Sequence, residues 1–406
     1  MTRRTWALLA MTAWGCAATA GSSSTQTSGP AAPPRPGPSP ETVATLRDTV
    51  RVLLERARAD SAFPGAFAVV GNRDGVLAQF GVGGLDWSAS PRPDENTVWD
   101  MASLTKVVGM TSALMQLTET GKVDLDAPVQ RYVTEFRGRN KELVTVRHLL
   151  THTSGLPNWR PLHKETSTPE AARALAIATE LDTLPGVRMS YSDLGAIILG
   201  VLVERVSGER LEEYLGRHVF GPLRMTTTQY RPAASLVPRI APTEYDPWRQ
   251  KKLRGEVHDE NAFSLGGVSG HAGLFSTGHD VTRLVRMYLN GGSLDGARIV
   301  SAETIRRFTT VQDSTLSNRA LGWETPNGSN SAGRLMTRPA FGHTGFTGTS
   351  IWVDPTRDVF VVLLTNRVNP TRQNLRIGGV RTALADAVVR VLDRGAIPSP
   401  SASSPR

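Results

Sequence analysis

A serine and a lysine three residues apart, in Ser103-Leu104-Thr105-Lys106, are the first residues whose types and spacing could do chemistry. Residues i and i+3 of a helix share a face, with Cβ atoms about 5–6 Å apart, so the amine can reach the hydroxyl. No carboxylate lies within four residues of Lys106, and we expect a desolvated, neutral amine that accepts the serine proton. An N-cap serine followed by a solvated lysine would have the same spacing.

The segment Tyr191-Ser192-Asp193 immediately precedes an apolar run from Leu194 to Val203. This run is about half as long as a membrane crossing requires and predicts a buried core helix. In one interpretation Ser192 or Asp193 caps this helix. In the other, Tyr191 presents its phenol to the nucleophile as a second proton carrier, and Asp193 is a polar anchor. Both can hold at once.

A third segment, His343-Thr344-Gly345-Phe346, lies in a glycine-rich stretch that leads into a predicted strand at Thr349. Glycine weakens a strand unless a ligand or another backbone must approach closely. The segment therefore predicts a substrate-binding edge, and a loose loop with a surface histidine is the alternative.

These three motifs, in this order, resemble those of the serine β-lactamase and penicillin-binding-protein superfamily, in the branch of class C β-lactamases, DD-peptidases and related esterases. The resemblance covers about residues 42 to 394. It implies that Ser103 is acylated, that Lys106 is its base, and that Tyr191 relays the proton and activates the deacylating water. It also implies an oxyanion hole made by the backbone N–H groups of Ser103 and Phe346.

Two departures from the family pattern bear on the substrate. Asp193 stands where many relatives have asparagine, and it cannot donate an amide N–H to a substrate carbonyl. His343 stands where most β-lactamases have lysine; with an ordinary pKa near 6.5 it would hold a carboxylate better as the pH falls toward about 6. The expected substrate-binding set is Asp193, His343, Thr344, Gly345 and Phe346.

The expected function is hydrolysis of peptides, amides or esters through an acyl-enzyme, with a DD-carboxypeptidase or an esterase favoured and a β-lactamase as the alternative. A catalytically inactive cell-wall peptide sensor is an alternative of another class. Such a sensor would be expected to lose Ser103, Lys106 or Tyr191, and all three are present.

Histidines raise the possibility of a metal site. His148 and His152 lack the glutamate of H-E-x-x-H, and His258 and His271 bring few metal-spaced carboxylates with them, so neither a metal nor another cofactor is expected. The stretch 256–273 resembles one shared by uncharacterised hydrolases and DD-carboxypeptidase-like proteins, and it receives no chemical role from its sequence.

The balance of 46 basic against 37 acidic residues gives a formal charge of +9. The basic residues form no cluster interleaved with aromatics, so nucleic acid is not an expected partner. The expected partners are a small molecule or a peptidoglycan peptide, and a membrane through a lipid anchor.

The N-terminus resembles an export signal. Two arginines and an apolar run precede Cys16, the only cysteine, which follows Ala13-Trp14-Gly15 as in a bacterial lipobox. Cleavage after Ala20 is the alternative. Residues 1–20 are predicted to be the signal, 21–41 a disordered Ser/Pro-rich tether and 397–406 a disordered tail. We expect a lipid-anchored protein of the periplasm or cell envelope.

The elements that must position the three motifs are predicted from hydrophobic periodicity. They are a helix over 42–58, hairpins over 66–80 and 349–364, and a closing helix over 372–394. The middle, about 110–333, is mainly helical. The chain therefore predicts an α/β (α+β) fold over 42–396, in which an antiparallel sheet from both chain ends is flanked by helices and carries a helical insertion. The resemblance implies a β-lactamase/transpeptidase-like version of this fold.

Overall fold

Twelve strands lie within residues 37–395, the part of the chain that the computed structural model describes: β1 (Gly65–Gly71), β2 (Val76–Gly83), β3 (Trp99–Asp100), β4 (Gln229–Tyr230), β5 (Tyr245–Asp246), β6 (Lys251–Lys252), β7 (Leu274–Ser276), β8 (Ser293–Leu294), β9 (Ala297–Arg298), β10 (Phe341–Thr344), β11 (Ser350–Asp354) and β12 (Val359–Thr365). Five of them form one antiparallel sheet in the order β10-β11-β12-β1-β2. Both predicted hairpins, and the assembly of one sheet from the two chain ends, are confirmed.

Eleven α-helices accompany the strands in the same residues: α1 (Pro40–Ala59), α2 (Thr111–Glu119), α3 (Val146–Leu150), α4 (Leu162–Glu165), α5 (Pro169–Ala178), α6 (Asp193–Ser207), α7 (Leu211–Leu215), α8 (Glu260–Ser264), α9 (Gly278–Leu289), α10 (Ala302–Thr309) and α11 (Ile377–Gly395). All but α1 and α11 lie between β2 and β10, where the helical insertion was predicted. None of these helices combines the length and apolarity needed to cross a bilayer.

The ends of the predicted elements need small corrections. Helix α1 begins at Pro40 and is capped by the Ser39 side chain, so residues 40 and 41 belong to the helix rather than to the tether. Helix α11 begins at Ile377 rather than at residue 372. The export signal, Cys16, residues 21–36 of the tether and the tail 397–406 lie outside the described residues.

The sheet separates two hydrophobic cores. Successive side chains of a strand point to opposite faces, and every residue of β1 is buried. Phe67 and Val69 face the larger core, which contains most of the insertion, whereas Ala68 and Val70 face the smaller core with α1 and α11.

Helix α6 is the central helix of the insertion. Residues Leu194 to Val203 are all buried, as predicted, and the Ser192 hydroxyl caps the helix by accepting the Gly195 N–H at 3.3 Å. The helix packs closely against the backbone at Gly270, where a Cβ would lie 2.2 Å from the carbonyl oxygen of Ala196. This contact admits only glycine without a shift of one backbone.

We expect Gly270→Ala to destabilise the protein by about 1–3 kcal/mol, because the added methyl group overpacks the contact with α6. Gly379→Ala is the matched control: it lies in α11, where a Cβ would meet nothing within 4 Å, and it should be neutral or stabilising by up to about 1 kcal/mol. Urea titration followed by circular dichroism measures both. Equal midpoints for the two variants would contradict the close packing.

Candidate functional site

Ser103 lies at a sharp turn between β3 and α2. It belongs to a 3₁₀ turn over Ala102–Leu104, which continues into a π-helical turn over Lys106–Met110 before α2 begins. Ala102 has a φ of 46°, a left-handed conformation that is unfavourable for a residue with a side chain. The turn brings the Lys106 amine to 3.1 Å from the Ser103 hydroxyl oxygen, as the sequence spacing predicted.

The Lys106 side chain is 1% exposed, and three other groups surround its amine. Nζ lies 2.7 Å from a carboxylate oxygen of Asp193 and donates to the His271 carbonyl at 3.2 Å. It also lies 4.9 Å from the centre of the Tyr191 ring. The amine is therefore buried as predicted, but it is not unpaired.

Burial acts to lower the pKa of Lys106, but the Asp193 carboxylate and then Tyr191 outweigh it and raise the pKa to about 12. The prediction of a neutral amine was wrong. Asp193 lies in another helix, far from Lys106 in sequence, and only the fold brings the two together. At neutral pH Lys106 is an ammonium that donates to Ser103, and it must lose a proton before it can act as a base.

The Tyr191 ring is surrounded by both aromatic and cationic side chains. Its hydroxyl is buried with no well-aligned hydrogen-bond partner in residues 37–395. Its ring lies 4.5 Å from that of His152, whose Nδ1 accepts the Ser192 N–H at 3.1 Å. Burial, and then Arg319 and Lys106, hold the pKa of His152 well below its usual range. His152 is thus a neutral group that orients the tyrosine segment, a role that the sequence did not reveal.

The third motif packs directly against the residues that precede Ser103. The Thr347 hydroxyl donates to the Asp100 carbonyl at 2.8 Å, and the Thr349 hydroxyl donates to the Met101 carbonyl at 3.2 Å. A Cβ at Gly345 would lie 2.1 Å from the Thr349 hydroxyl oxygen, so only glycine fits there. With Thr344 at the end of β10, the edge strand of the sheet, the motif lies beside Ser103.

His343 does not have the charge behaviour expected of it. Burial, and then Arg319 and Lys106, hold its pKa well below the usual range, so the neutral ring is favoured. Its Nδ1 lies 2.8 Å from the Thr344 carbonyl oxygen. Because a carbonyl can only accept, the one N–H of the neutral ring is used there, and Nε2 is left as an acceptor. The expected titration of His343 near its ordinary pKa is therefore wrong, whereas its contact with substrate stays a prediction.

Phe346 lies between two side chains of the surrounding loops. Its ring stacks on the His258 ring, with the two ring centres 5.6 Å apart. The Arg367 guanidinium lies 4.4 Å from the centre of the Phe346 ring. Its carbonyl accepts from Arg367 at 2.8 Å, which holds the turn, and its N–H makes no hydrogen bond within the described chain. The oxyanion role of the Ser103 and Phe346 N–H groups stays a prediction.

A cation that the sequence did not single out lies next to these groups. The Arg319 guanidinium is 5.2 Å from the centre of the Tyr191 ring, and it contributes to lowering the pKa of both His152 and His343. Its Nε and Nη1 atoms are buried without a hydrogen-bond partner, and no carboxylate within residues 37–395 pairs with it. Among many scattered arginines, nothing in its sequence context marks it.

The four histidines considered as metal ligands have separate partners. His148 takes part in capping α3, His152 accepts from Ser192, His258 contacts Glu244 and His271 contacts Asp259. Within the described part of the chain, no cluster of three or more His, Cys, Asp or Glu side chains is suited to a metal ion.

Comparison with known proteins relates this geometry to a family. The model of the family described as Beta-lactamase matches residues 50–384. The chain belongs to the β-lactamase family. A relative from Salmonella agona, named "Putative D-alanyl-D-alanine carboxypeptidase", is 32% identical over 315 residues, which are 70% of this chain and 72% of the relative. A Salmonella typhi protein of the same name is 32% identical over 319 residues, 70% of this chain and 73% of its own.

Solved structures share the fold of this β-lactamase-family hydrolase. EstCE1, described as a hydrolase with promiscuous acyltransferase activity, superposes with a TM-score of 0.71 at 22% identity, covering 86% of this chain and 100% of that one. A penicillin-binding-protein homologue from Caulobacter crescentus superposes with a TM-score of 0.70 at 19% identity, covering 88% and 99%. The predicted α/β fold and its family resemblance are confirmed.

We expect Asp193→Asn to lower the pKa of Lys106, because burial would no longer be opposed by a carboxylate at 2.7 Å. Only the neutral amine accepts a proton, so the rising limb of the acylation rate against pH should move to lower pH by on the order of one unit or more. The rate at pH 7 should rise accordingly. Stopped-flow acylation by an aryl ester between about pH 6 and 10, a window set below the lysine range, measures the limb.

The control for this variant is Asp126→Asn, which removes an exposed carboxylate paired with Arg147 away from the site. Its profile should superpose on that of the unmodified protein. An unchanged limb in Asp193→Asn would show that the ion pair does not set the protonation of Lys106.

Proposed function

We propose that this protein is an exported serine hydrolase that is acylated at Ser103 and removes the C-terminal residue from cell-wall peptides, as a DD-carboxypeptidase does. The observation that carries this proposal is the unpaired Arg319 guanidinium beside Tyr191 and His343. The names of the two Salmonella relatives support the same activity.

Arg319 offers what a peptide C-terminus requires. A guanidinium donates parallel hydrogen bonds to a carboxylate and remains charged at every physiological pH. Two of its nitrogen atoms are buried and unpaired, which costs free energy that a bound carboxylate would recover. His343 supplies neither a charge nor a free N–H, so Arg319 takes the role first expected of that histidine.

The reaction follows from the groups around Ser103. After the Lys106 ammonium has released a proton to solvent, its amine takes the hydroxyl proton as Ser103 Oγ bonds to the carbonyl carbon of the last peptide bond. The C–N bond breaks, and the leaving amine receives that proton by way of Tyr191. A water molecule then adds to the ester carbon and gives one proton, by way of Tyr191, to the Lys106 amine. The bond between that carbon and Ser103 Oγ breaks, Oγ takes the proton back, and the shortened peptide leaves as the acid.

An esterase is the second candidate, because the fold neighbour EstCE1 is a hydrolase and a neutral ester would need no Arg319. A β-lactamase is disfavoured by Asp193, which has no amide N–H for the substrate carbonyl. An inactive sensor is disfavoured by the 3.1 Å contact between Lys106 and Ser103, which is the geometry that proton transfer needs.

We expect Arg319→Gln to lower kcat/KM for a peptide ending in D-Ala-D-Ala by about 10- to 100-fold, which corresponds to losing a charged hydrogen bond of roughly 1.5–3 kcal/mol. The same peptide with a C-terminal amide should be affected little. Because arginine does not titrate, the preference for the free carboxylate should be constant from about pH 5.5 to 8.5. Release of D-alanine or D-alaninamide, quantified by mass spectrometry, gives both rates.

Three further proteins complete this experiment. Arg338→Gln replaces an exposed arginine and should match the unmodified protein. Ser103→Ala should release nothing from either peptide and should form no adduct in intact-mass analysis. If the unmodified protein cleaves only aryl esters, the esterase proposal replaces the carboxypeptidase proposal. If Arg319→Gln slows cleavage of both peptides equally, Arg319 does not bind the peptide carboxylate.

The cellular location is proposed from the N-terminal sequence, where Ala13-Trp14-Gly15-Cys16 resembles a lipobox. We expect the mature protein to begin at a lipidated Cys16 and to fractionate with membranes, and Cys16→Ala to release it into the soluble envelope fraction. Fractionation and N-terminal mass analysis measure this. A soluble protein that begins at Gly21 would support signal-peptidase cleavage after Ala20 instead.

A further inference from the structure

The stretch 256–273, which its sequence left without a role, lies along the nucleophile turn. The His258 N–H donates to the Asp100 carboxylate at 2.6 Å. The His271 carbonyl accepts from Lys106 at 3.2 Å, and the following Leu274 accepts the Met101 N–H at 2.9 Å. The stretch therefore contacts the residues before Ser103 and the lysine after it.

Three polar side chains of this stretch form a chain of hydrogen bonds, in which His271 and Ser269 are buried and Asp259 is partly exposed. His271 Nε2 lies 2.9 Å from Asp259 Oδ1, and Nδ1 lies 2.7 Å from the Ser269 hydroxyl. A carboxylate can only accept, so Nε2–H donates to Asp259, and in a neutral ring Nδ1 accepts the Ser269 O–H. His271 is 1% exposed, and both of its ring nitrogens are occupied.

This chain has the residue types of a catalytic triad but not its accessibility. Ser269 is 5% exposed, and its carbonyl accepts from the Tyr230 hydroxyl at 2.9 Å, so the residue is packed into the core rather than presented to a substrate. A second nucleophile is therefore not the explanation of these contacts.

The backbone of His271 is held from two sides. On one side Gly270 packs against α6, with no room for a Cβ beside Ala196. On the other, the His271 ring is fixed by Asp259 and Ser269. Asp259 is itself fixed, because the same oxygen accepts the Ala262 N–H at 2.7 Å and so caps α8. These contacts restrict the movement of the His271 carbonyl. The same carbonyl contacts the Lys106 amine.

We propose that Asp259, His271 and Ser269 form a positioning relay that holds the His271 carbonyl on Lys106 and thereby sets the amine against Ser103. His271 and Asp259 are positioning residues, since neither touches Ser103. The inference rests on the proposed function, because it assigns these residues to the acylation step at Ser103.

The relay also contributes charge. Burial acts to raise the pKa of Asp259, but the hydrogen bonds from His271 and the Ala262 N–H, and then the Lys106 charge, outweigh it and lower the pKa, so the carboxylate is ionised at neutral pH. Its negative charge in turn favours the Lys106 ammonium. Five titratable groups from four parts of the chain interact with Lys106, namely Tyr191 and Asp193, His152, Asp259 and His343.

The test compares one variant that removes the charge of the relay, one that removes its ring contacts and one that keeps half of those contacts. Asp259→Asn removes the charge but retains a side chain that caps α8 well. His271→Leu removes both ring hydrogen bonds, and His271→Gln keeps a donor for Asp259. His218→Gln is the matched control, because His218 makes the same kind of bond to Glu209, at 2.8 Å, but touches neither Lys106 nor Ser103.

We expect Asp259→Asn and His271→Leu to slow acylation by an aryl ester about 10- to 100-fold at its optimum, with KM changed less than about threefold. In Asp259→Asn the rising limb against pH should also move to lower pH, since the ammonium loses a favourable charge. His271→Gln should recover at least about a third of the rate, and His218→Gln should not differ from the unmodified protein. Rates are corrected for the active fraction by fluorophosphonate titration.

The outcomes separate the relay from the proposed function. If the unmodified protein is not acylated at Ser103, the proposed function fails. If Ser103 is acylated, and Asp259→Asn has the same corrected acylation rate and the same pH dependence as the unmodified protein, the proposed relay is wrong. If His271→Leu is unstable in thermal unfolding, Asp259→Asn and His271→Gln decide, because a purely structural role would lower their melting temperatures without lowering the acylation rate of the correctly folded fraction.

Discussion

The buried ammonium of Lys106 is the constraint on which the rest of the site depends. A charge removed from water is costly unless paired and hydrogen-bonded. Here it has a carboxylate at 2.7 Å, a carbonyl at 3.2 Å and an aromatic ring at 4.9 Å. Removing one partner of a buried pair typically costs about 3–5 kcal/mol. The surrounding elements must therefore keep Asp193 and His271 in place as firmly as they keep Ser103.

That requirement explains why α6 and the stretch 256–273 are packed so closely. Helix α6 carries Asp193 at its first turn, where a negative side chain also complements the helix dipole. The same helix presses on Gly270, next to the residue whose carbonyl contacts Lys106. One helix, buried from Leu194 to Val203, thus positions two of the three groups around the amine.

The charges of the site are distributed unevenly. Lys106 and Arg319 are cationic, whereas His152 and His343 are held neutral beside them. Arg381, which donates to the Gly345 and Thr349 carbonyls at 2.7 Å, is buried deeply enough that its pKa falls to about 9, with Arg367 contributing. Asp193 and Asp259 offset the charge of Lys106, whereas no carboxylate within residues 37–395 pairs with Arg319, and the neutral histidines do not add to its charge.

The sequence by itself determined what depends on local spacing and patterning. Residues three apart on one turn brought Ser103 to Lys106, Ser192 capped α6, and the alternating apolar strands gave two hairpins of one sheet. The three motifs also identified the family. Tertiary structure alone decided the charge of Lys106, the acceptor state of His343 and the place of Arg319. Each of these depends on groups distant in sequence, since burial and Coulomb interactions act through space and leave no periodic signal along the chain.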